Sequence, residues 1–375
     1  MTEKKYLSIL AGACGVLALL CVVAFFGKKS LSGKTIDTVL LNEKYGLQLA
    51  CVEVVHQDTA LAFYKKELSG KSLWIGYDGS GFGSQLVFPV DSTLMAEFLS
   101  TMMKVRSLSL VSQKQDQKTL ASFGFVTEHG HTSTHDLSYE TNAQSGYDFR
   151  FQLQDGKVVS QVLFGHKNYS GYRVYLKTPE SPIYLTQDEF YPWLSVSAKS
   201  WAEMDLVSRQ LLGISGEKEV QGLEITLLDH AEGSLSKSFL PTAKDFSAKV
   251  SRLLSFRGGS LIEPSVALGQ KQLGEIALYT GRGSSIVLRI YEGKLSTVDQ
   301  EVSSYYVIPQ IETLGGNGLN SGYEISELNY GFEISGLNYG FEISGLNYGF
   351  EISGLNYGFE ISPWTWESLQ ALAQD

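Results

Sequence analysis

Two stretches of this chain can be laid side by side, and that correspondence constrains the fold more than any single motif. "FPVDSTLMAEFLSTMMKVRSLSLV" (Phe88–Val111) matches "LPTAKDFSAKVSRLLSFRGGSLIE" (Leu240–Glu263) in length and in pattern. Pro89 falls on Pro241, and Leu94, Phe98 and Met102 fall on Phe246, Val250 and Leu254. The i, i+4, i+8 spacing places each trio on one stripe of a helix, the side that packs against a sheet. Asp91 or Ser92 is placed to cap the first helix, and Thr242 the second.

The flanks correspond as well. Strand-like runs such as "LQLACVEVVH" and "KSLWIGY" precede the first helix, and "QGLEITLLDH" and "SLSKSFL" precede the second. Alternating runs follow both helices, with hairpin signals at Asp155-Gly156 and Gly281–Gly283. Each module therefore reads as strand, strand, helix and a meander of about three strands, an α+β architecture with antiparallel sheet. The expected organisation is a tail (1–5), an apolar segment (6–27), a first α+β module (28–212) and a similar second one (213–312). Tandem repeats (313–362) and a C-terminal turn with a short helix (363–375) complete it. The join between modules falls near "SRQLLGISGEKEVQG", where the apolar pattern fades into Gly and charge.

Tyr6 to Gly27 contains no charged residue. As a helix it spans roughly 33 Å, enough for a hydrocarbon core of about 30 Å. A signal-peptide cleavage site is missing, because the run ends "VVAFFGKK". A lipoprotein cysteine at Cys14 is disfavoured, because the apolar stretch continues well past it. The sequence expectation is a single transmembrane helix in an inner membrane, with the bulk of the chain on the extracytoplasmic side. Lysines on both sides of the run leave the charge rule nearly balanced, so that orientation follows from the very short tail.

From Gly318 the chain carries five nine-residue units: "GLNSGYEIS", "ELNYGFEIS" and three identical copies of "GLNYGFEIS" ending at Ser362. Within a unit, Tyr, Phe and Ile alternate with Gly, Glu and Ser, so "YGFEIS" reads as a strand. A stacked β-solenoid would line up Glu324, Glu333, Glu342, Glu351 and Glu360 in a ladder of like charge. The expectation is instead an elongated or hairpinned insertion before Pro363-Trp364, dispensable for the fold.

The chemistry is sparse. A net charge of −10 argues against a nucleic-acid partner. Cys51 is the only cysteine outside the first apolar run, so a disulfide within the remaining chain is excluded, and a buried thiol is expected. "SGKS" at Ser69–Ser72 fails as a phosphate loop because Lys65 stands where the pattern needs Gly. "GYDGSGFG" (Gly76–Gly83) reads as a loop. "EHGHTSTHD" offers His129, His131 and His135 with Glu128 and Asp136, a spacing compatible with zinc or copper. Its polar setting favours solvated loop histidines. Asp188-Glu189 and Glu203/Asp205 sit among aromatics and resemble paired carboxylates, although acids rimming a surface explain them equally well. The reading assigns no catalytic, cofactor-binding or metal residue and expects no enzyme and no cofactor.

The order of "SLWIGY", "FPVDSTLMAEFLSTMMKVRSLSLVS", "LASFGF", "QVLFGHKNYSGYRVYLKTPESPIYL" and "SWAEMDLV" resembles a widespread bacterial family of membrane-anchored proteins labelled only as a domain of unknown function. Members are often encoded beside ABC-transporter components of the gliding-motility type. The matching elements here are Trp74, the helix after Pro89, Phe123-Gly124-Phe125, Leu163–Gly165 and Tyr172–Tyr175. The nine-residue units lie outside that pattern. The resemblance implies a membrane-anchored scaffold or accessory protein without catalytic activity, associated with an ABC-type transporter complex. The alternative is an envelope ligand-binding protein or enzyme with a site between the two modules.

Overall fold

The computed structural model describes residues 35–374 apart from 58, 69–70, 82–83, 126–145, 170–172, 187–189, 231–232, 282, 296–301 and 314–354. The strands in chain order are β1 (Thr35–Thr38), β2 (Leu49–His56), β3 (Thr59–Leu68), β4 (Lys71–Gly81), β5 (Ser84–Pro89), β6 (Arg106–Ser112), β7 (Tyr147–Leu153), β8 (Val158–Lys167) and β9 (Val174–Lys177). They continue as β10 (Ile183–Leu185), β11 (Val220–His230), β12 (Gly233–Phe239), β13 (Ser260–Ile262), β14 (Gln272–Thr280), β15 (Ser284–Glu292), β16 (Tyr305–Thr313) and β17 (Gly358–Ile361). The helices are α1 (Glu43–Gly46), α2 (Ser92–Met103), α3 (Gln117–Ser122), α4 (Arg209–Leu212), α5 (Phe246–Leu253), α6 (Pro264–Leu268) and α7 (Pro363–Gln374).

This corrects the expected fold class of one transmembrane helix followed by two similar α+β modules. The described chain is mostly antiparallel strand, gathered into a ten-stranded and a seven-stranded sheet, and its helices are few and short. Among the described residues no helix is long and apolar enough to cross a membrane. The apolar run 6–27 itself lies outside the described residues. A single-pass inner-membrane placement therefore has no support in this structure.

The chain divides into two compact units. The first comprises Met1–Glu43, Met102–Phe149 and Ser160–Leu194. Here β6 pairs with β1 and β10, β10 with β9, and β9 with β8. α3 begins at Asp116, whose carboxylate accepts the Thr119 amide, and it ends in a Schellman turn. Gly124 takes the left-handed conformation (φ 83°), its N–H donating to Ala121 O while Phe125 N–H donates to Leu120 O. That turn locks onto β8. Phe123 O accepts the His166 amide at 2.8 Å, Phe123 meets Tyr175 edge-on at 4.8 Å, and Phe125 is buried. Gly165 permits the approach, because a Cβ there would stand 2.0 Å from Phe123 O.

The second unit comprises Lys44–Thr101, Arg150–Val159 and Ser195–Asp375. β2 to β5 form an antiparallel meander, and the seven-stranded sheet runs β12-β11-β14-β15-β16-β17-β13. "GYDGSGFG" is not simply a loop, since β4 extends to Gly81. Gly76 lies inside the strand because the Phe88 ring sits where its Cβ would go, 2.4 Å away. Asp91 caps α2 by accepting the Thr93 and Leu94 amides. Thr242 does not cap α5. The N-cap position falls to Asp245, which makes no side-chain cap bond. Cys51 on β2 is buried, and burial, with Glu53 nearby, pushes its thiol well up from the usual range.

The last nonapeptide contradicts the expectation of a dispensable insertion. Residues 358–361 of that copy are β17, paired on one side with β16 and on the other with β13. Tyr357, Phe359 and Ile361 are each 2% exposed or less, so this copy belongs to the core. Ser362 then caps α7 by accepting the Thr365 amide, and Pro363 occupies the first turn, where no N–H is needed. α7 is held at its far end by the buried ammonium of Lys249, which donates to Leu372 O at 2.8 Å.

Candidate functional site

Within the second unit an open cleft of about 640 Å³ is lined by the ionisable side chains of Asp91, Glu203, Asp205, Arg209 and Arg257. Its floor is the stretch "WAEMDLV". The backbone of this stretch is bonded on both sides. Asp91 N–H donates to Trp201 O, Glu203 N–H donates to Pro89 O, and Ala202 bridges Val90. On the opposite side Leu206 N–H donates to Phe256 O, Gly258 N–H donates to Met204 O, and Asp205 bridges Arg257. Alternation then decides which side chains face where. Ala202, Met204 and Leu206 are buried, while Glu203 and Asp205 are half-buried and line the cleft.

The chain next turns back on itself. Ser208 caps α4 by accepting the Leu211 amide, and Gly213 (φ 68°) closes a second Schellman turn, with Ile214 N–H donating to Arg209 O. Capped at both ends, this four-residue helix returns Ser208 and Gln210 to Glu203. Ser208 Oγ donates to Glu203 Oε2 at 2.5 Å, and Gln210 Nε2 donates to the same oxygen at 2.7 Å and to Val90 O at 2.8 Å. Gln210 Oε1 is buried without a hydrogen-bond partner.

The charged groups of the cleft have identifiable structural partners. Asp91 caps the N-terminus of α2. Arg209 donates to Leu254 O at 3.0 Å, covering a carbonyl at the C-terminal end of α5, where positive charge is favoured. Arg257 pairs with Asp205 at 3.3 Å, an exposed pair of small energetic weight. Glu203 carries the largest perturbation. Burial, opposed by the Ser208 and Gln210 hydrogen bonds and assisted by Asp205 and Asp91, pushes its carboxyl up to about 7.

That shift has a stability signature. The folded carboxyl titrates near 7 and the unfolded one near 4.5, so the folded protein holds the extra proton between those values. This contribution is fully present below about pH 4.5 and is lost as pH rises through about 7. Glu203→Gln keeps an oxygen for both donors and removes the charge. The variant is expected to lose this part of the pH slope and to exceed the parent at pH 8 by up to about 3 kcal/mol. Urea midpoints measured at pH 5 and pH 8 check this, and parallel pH profiles for the two proteins would contradict it.

Of the sequence candidates, Glu203 and Asp205 are brought to one cleft, but alternation alone puts them there, and each has a separate partner. His129, His131, His135, Glu128 and Asp136 lie outside the described residues, as do Asp188 and Glu189. Among the described residues no group of three or more His, Cys, Asp or Glu side chains is arranged to hold a metal ion. Arg209 and Gln210 were missed by sequence reasoning. The available signal was "SRQLLGI", a Ser cap and a Gly stop that bound a single helical turn. Comparison with known proteins finds no matching family model, no matching curated protein and no matching solved structure.

Proposed function

We propose that this chain is a non-catalytic scaffold or accessory protein that works by binding another protein. The observation that supports this reading is the use made of the cleft's charges. Asp91 and Arg209 are engaged at helix ends, Asp205 pairs with Arg257, and Glu203 is bonded by Ser208 and Gln210. A general acid or base must reach a substrate proton, and a nucleophile needs an adjacent base. These carboxylates instead hold backbone segments together. The sequence resemblance supplies the partner class, an ABC-transporter-type complex. The test is co-purification of the tagged chain at native expression level from gently solubilised cells, with mass spectrometry of what accompanies it. Transporter subunits in fixed ratio are expected, and a chain recovered alone would retire the reading.

One observation favours a second reading. A carboxyl poised near neutrality at an open cleft, with two guanidinium groups on its rim, suits a small anionic or hydrogen-bonding ligand. In that case the cleft itself is the working site, and Glu203→Gln abolishes function while leaving the fold intact.

A further inference from the structure

The β17 position has requirements that can be read residue by residue. Asn356 exchanges both backbone hydrogen bonds with Val87, at 2.9 and 3.1 Å. Tyr357 is buried and meets Phe359 edge-on at 5.4 Å. Position 358 favours glycine, since a Cβ would stand 2.4 Å from Ile308 Cδ1 and 3.0 Å from Val307 O. Phe359 is fully buried against Gly258, whose own Cβ would collide with the ring at 2.4 Å. Glu360 accepts from Ser260 at 3.1 Å and pairs with Lys294 at 3.6 Å. Ile361 lies opposite Tyr305.

The sequence meets this specification more than once. The units beginning at Gly336 and Gly345 are identical to the one in the sheet, and the unit beginning at Glu327 differs only at its first residue. The first unit differs where it matters, with Ser321 at the Tyr357 position and Tyr323 at the Phe359 position. Ser362 and Pro363 favour the last copy, because only there does the strand lead directly into a capped helix. A shift by one unit keeps every strand contact, shortens the connection after Thr313 by nine residues, and inserts nine before α7. Loop closure grows with the logarithm of length, so lengthening the link before α7 from one residue to ten costs about 2 kcal/mol. This is why the last copy is the resident one and a slipped copy is a fallback. A shift that is not a multiple of nine changes the face of the strand or displaces Gly358.

We infer that β17 is an exchangeable position, for which the units beginning at Glu327, Gly336 and Gly345 are spare strands within the same chain. The array then acts as a register reserve: loss of the resident copy is repaired by a slip of nine residues, and copy number can vary without loss of the sheet.

Three full-length variants test this. Phe359→Asp disables the resident copy; Phe332→Asp, Phe341→Asp and Phe350→Asp together disable the spares; the third variant carries all four substitutions and disables every copy. Thermal unfolding is expected to drop only a few degrees for Phe359→Asp and to stay at the parent value for the triple variant. The quadruple variant is expected to lose its cooperative transition. Equal damage from the single and the quadruple variants would overturn the inference, as would damage from the triple variant alone. Light scattering distinguishes the source of the strand: rescue as a monomer supports the intrachain exchange, and rescue only as a dimer overturns it.

Discussion

Trp201→Ala is expected to lower the unfolding free energy of the second unit by about 3–5 kcal/mol. The indole is 1% exposed and lies between Phe63, at 4.9 Å, and Phe98, which meets it edge-on at 5.2 Å. Phe98 in turn stacks on Phe151 at 6.0 Å, so the indole anchors an aromatic cluster rather than one pair. Its Nε1–H donates to Ser195 O at 2.9 Å, and truncation leaves that carbonyl without this donor. The position also governs the cleft, since Trp201 O accepts the amide of Asp91, the residue that caps α2. Trp201→Phe separates the contributions. It keeps a ring in the cluster and loses the indole donor, and about 1–2 kcal/mol is expected. Urea unfolding of the two variants checks the order. A Phe variant as damaged as the Ala variant would shift the weight from packing to the hydrogen bond.

Gly165→Ala is the second large effect, about 3 kcal/mol or more, and it is expected in the first unit. The obstruction is backbone: Phe123 O stands 2.0 Å from the added methyl, and no rotamer change relieves it. To make room, either the Schellman turn at Gly124 or the bond from the His166 amide to Phe123 O must give. Faster amide exchange at Gly124, Phe125 and His166 is the expected readout, with exchange along β11 and β14 unchanged. Unchanged exchange at His166 would contradict the account of this contact.

These two residues show what was legible in the sequence. Phe123-Gly124-Phe125 and Leu163–Gly165 stood out as motifs, yet nothing in either shows that Gly165 exists to admit the Phe123 carbonyl. That is a fact of tertiary contact between distant segments. The helix trio Leu94, Phe98 and Met102 was readable from its period, and Phe98 and Met102 are fully buried. The hairpin at Asp155-Gly156 was readable because φ of 78° at Gly156 is what the turn demands. "SWAEMDLV" was legible as one of the ordered motifs and as the place of a possible carboxylate pair at Glu203 and Asp205, but its bonding on both sides depends on residues that precede and follow it by long intervals. For Glu203 a paired carboxylate with Asp205 and an acid rimming a surface fitted the sequence equally well, because burial is a property of what covers a residue. The resident nonapeptide was hidden by its own copies, since three identical units cannot be ranked by composition. Only the Pro363 that follows the last one marks it as the strand that leads into a helix.

On the proposed function, the chain works by binding a partner and Glu203 is a structural group of the cleft rather than the binding site. The most direct measurement is the set of proteins co-purifying with the parent and with Glu203→Gln, taken side by side at equal expression. The account predicts the same partner in the same ratio for both. Loss of the partner from a variant whose unfolding remains cooperative would contradict it, and would make the cleft the working site.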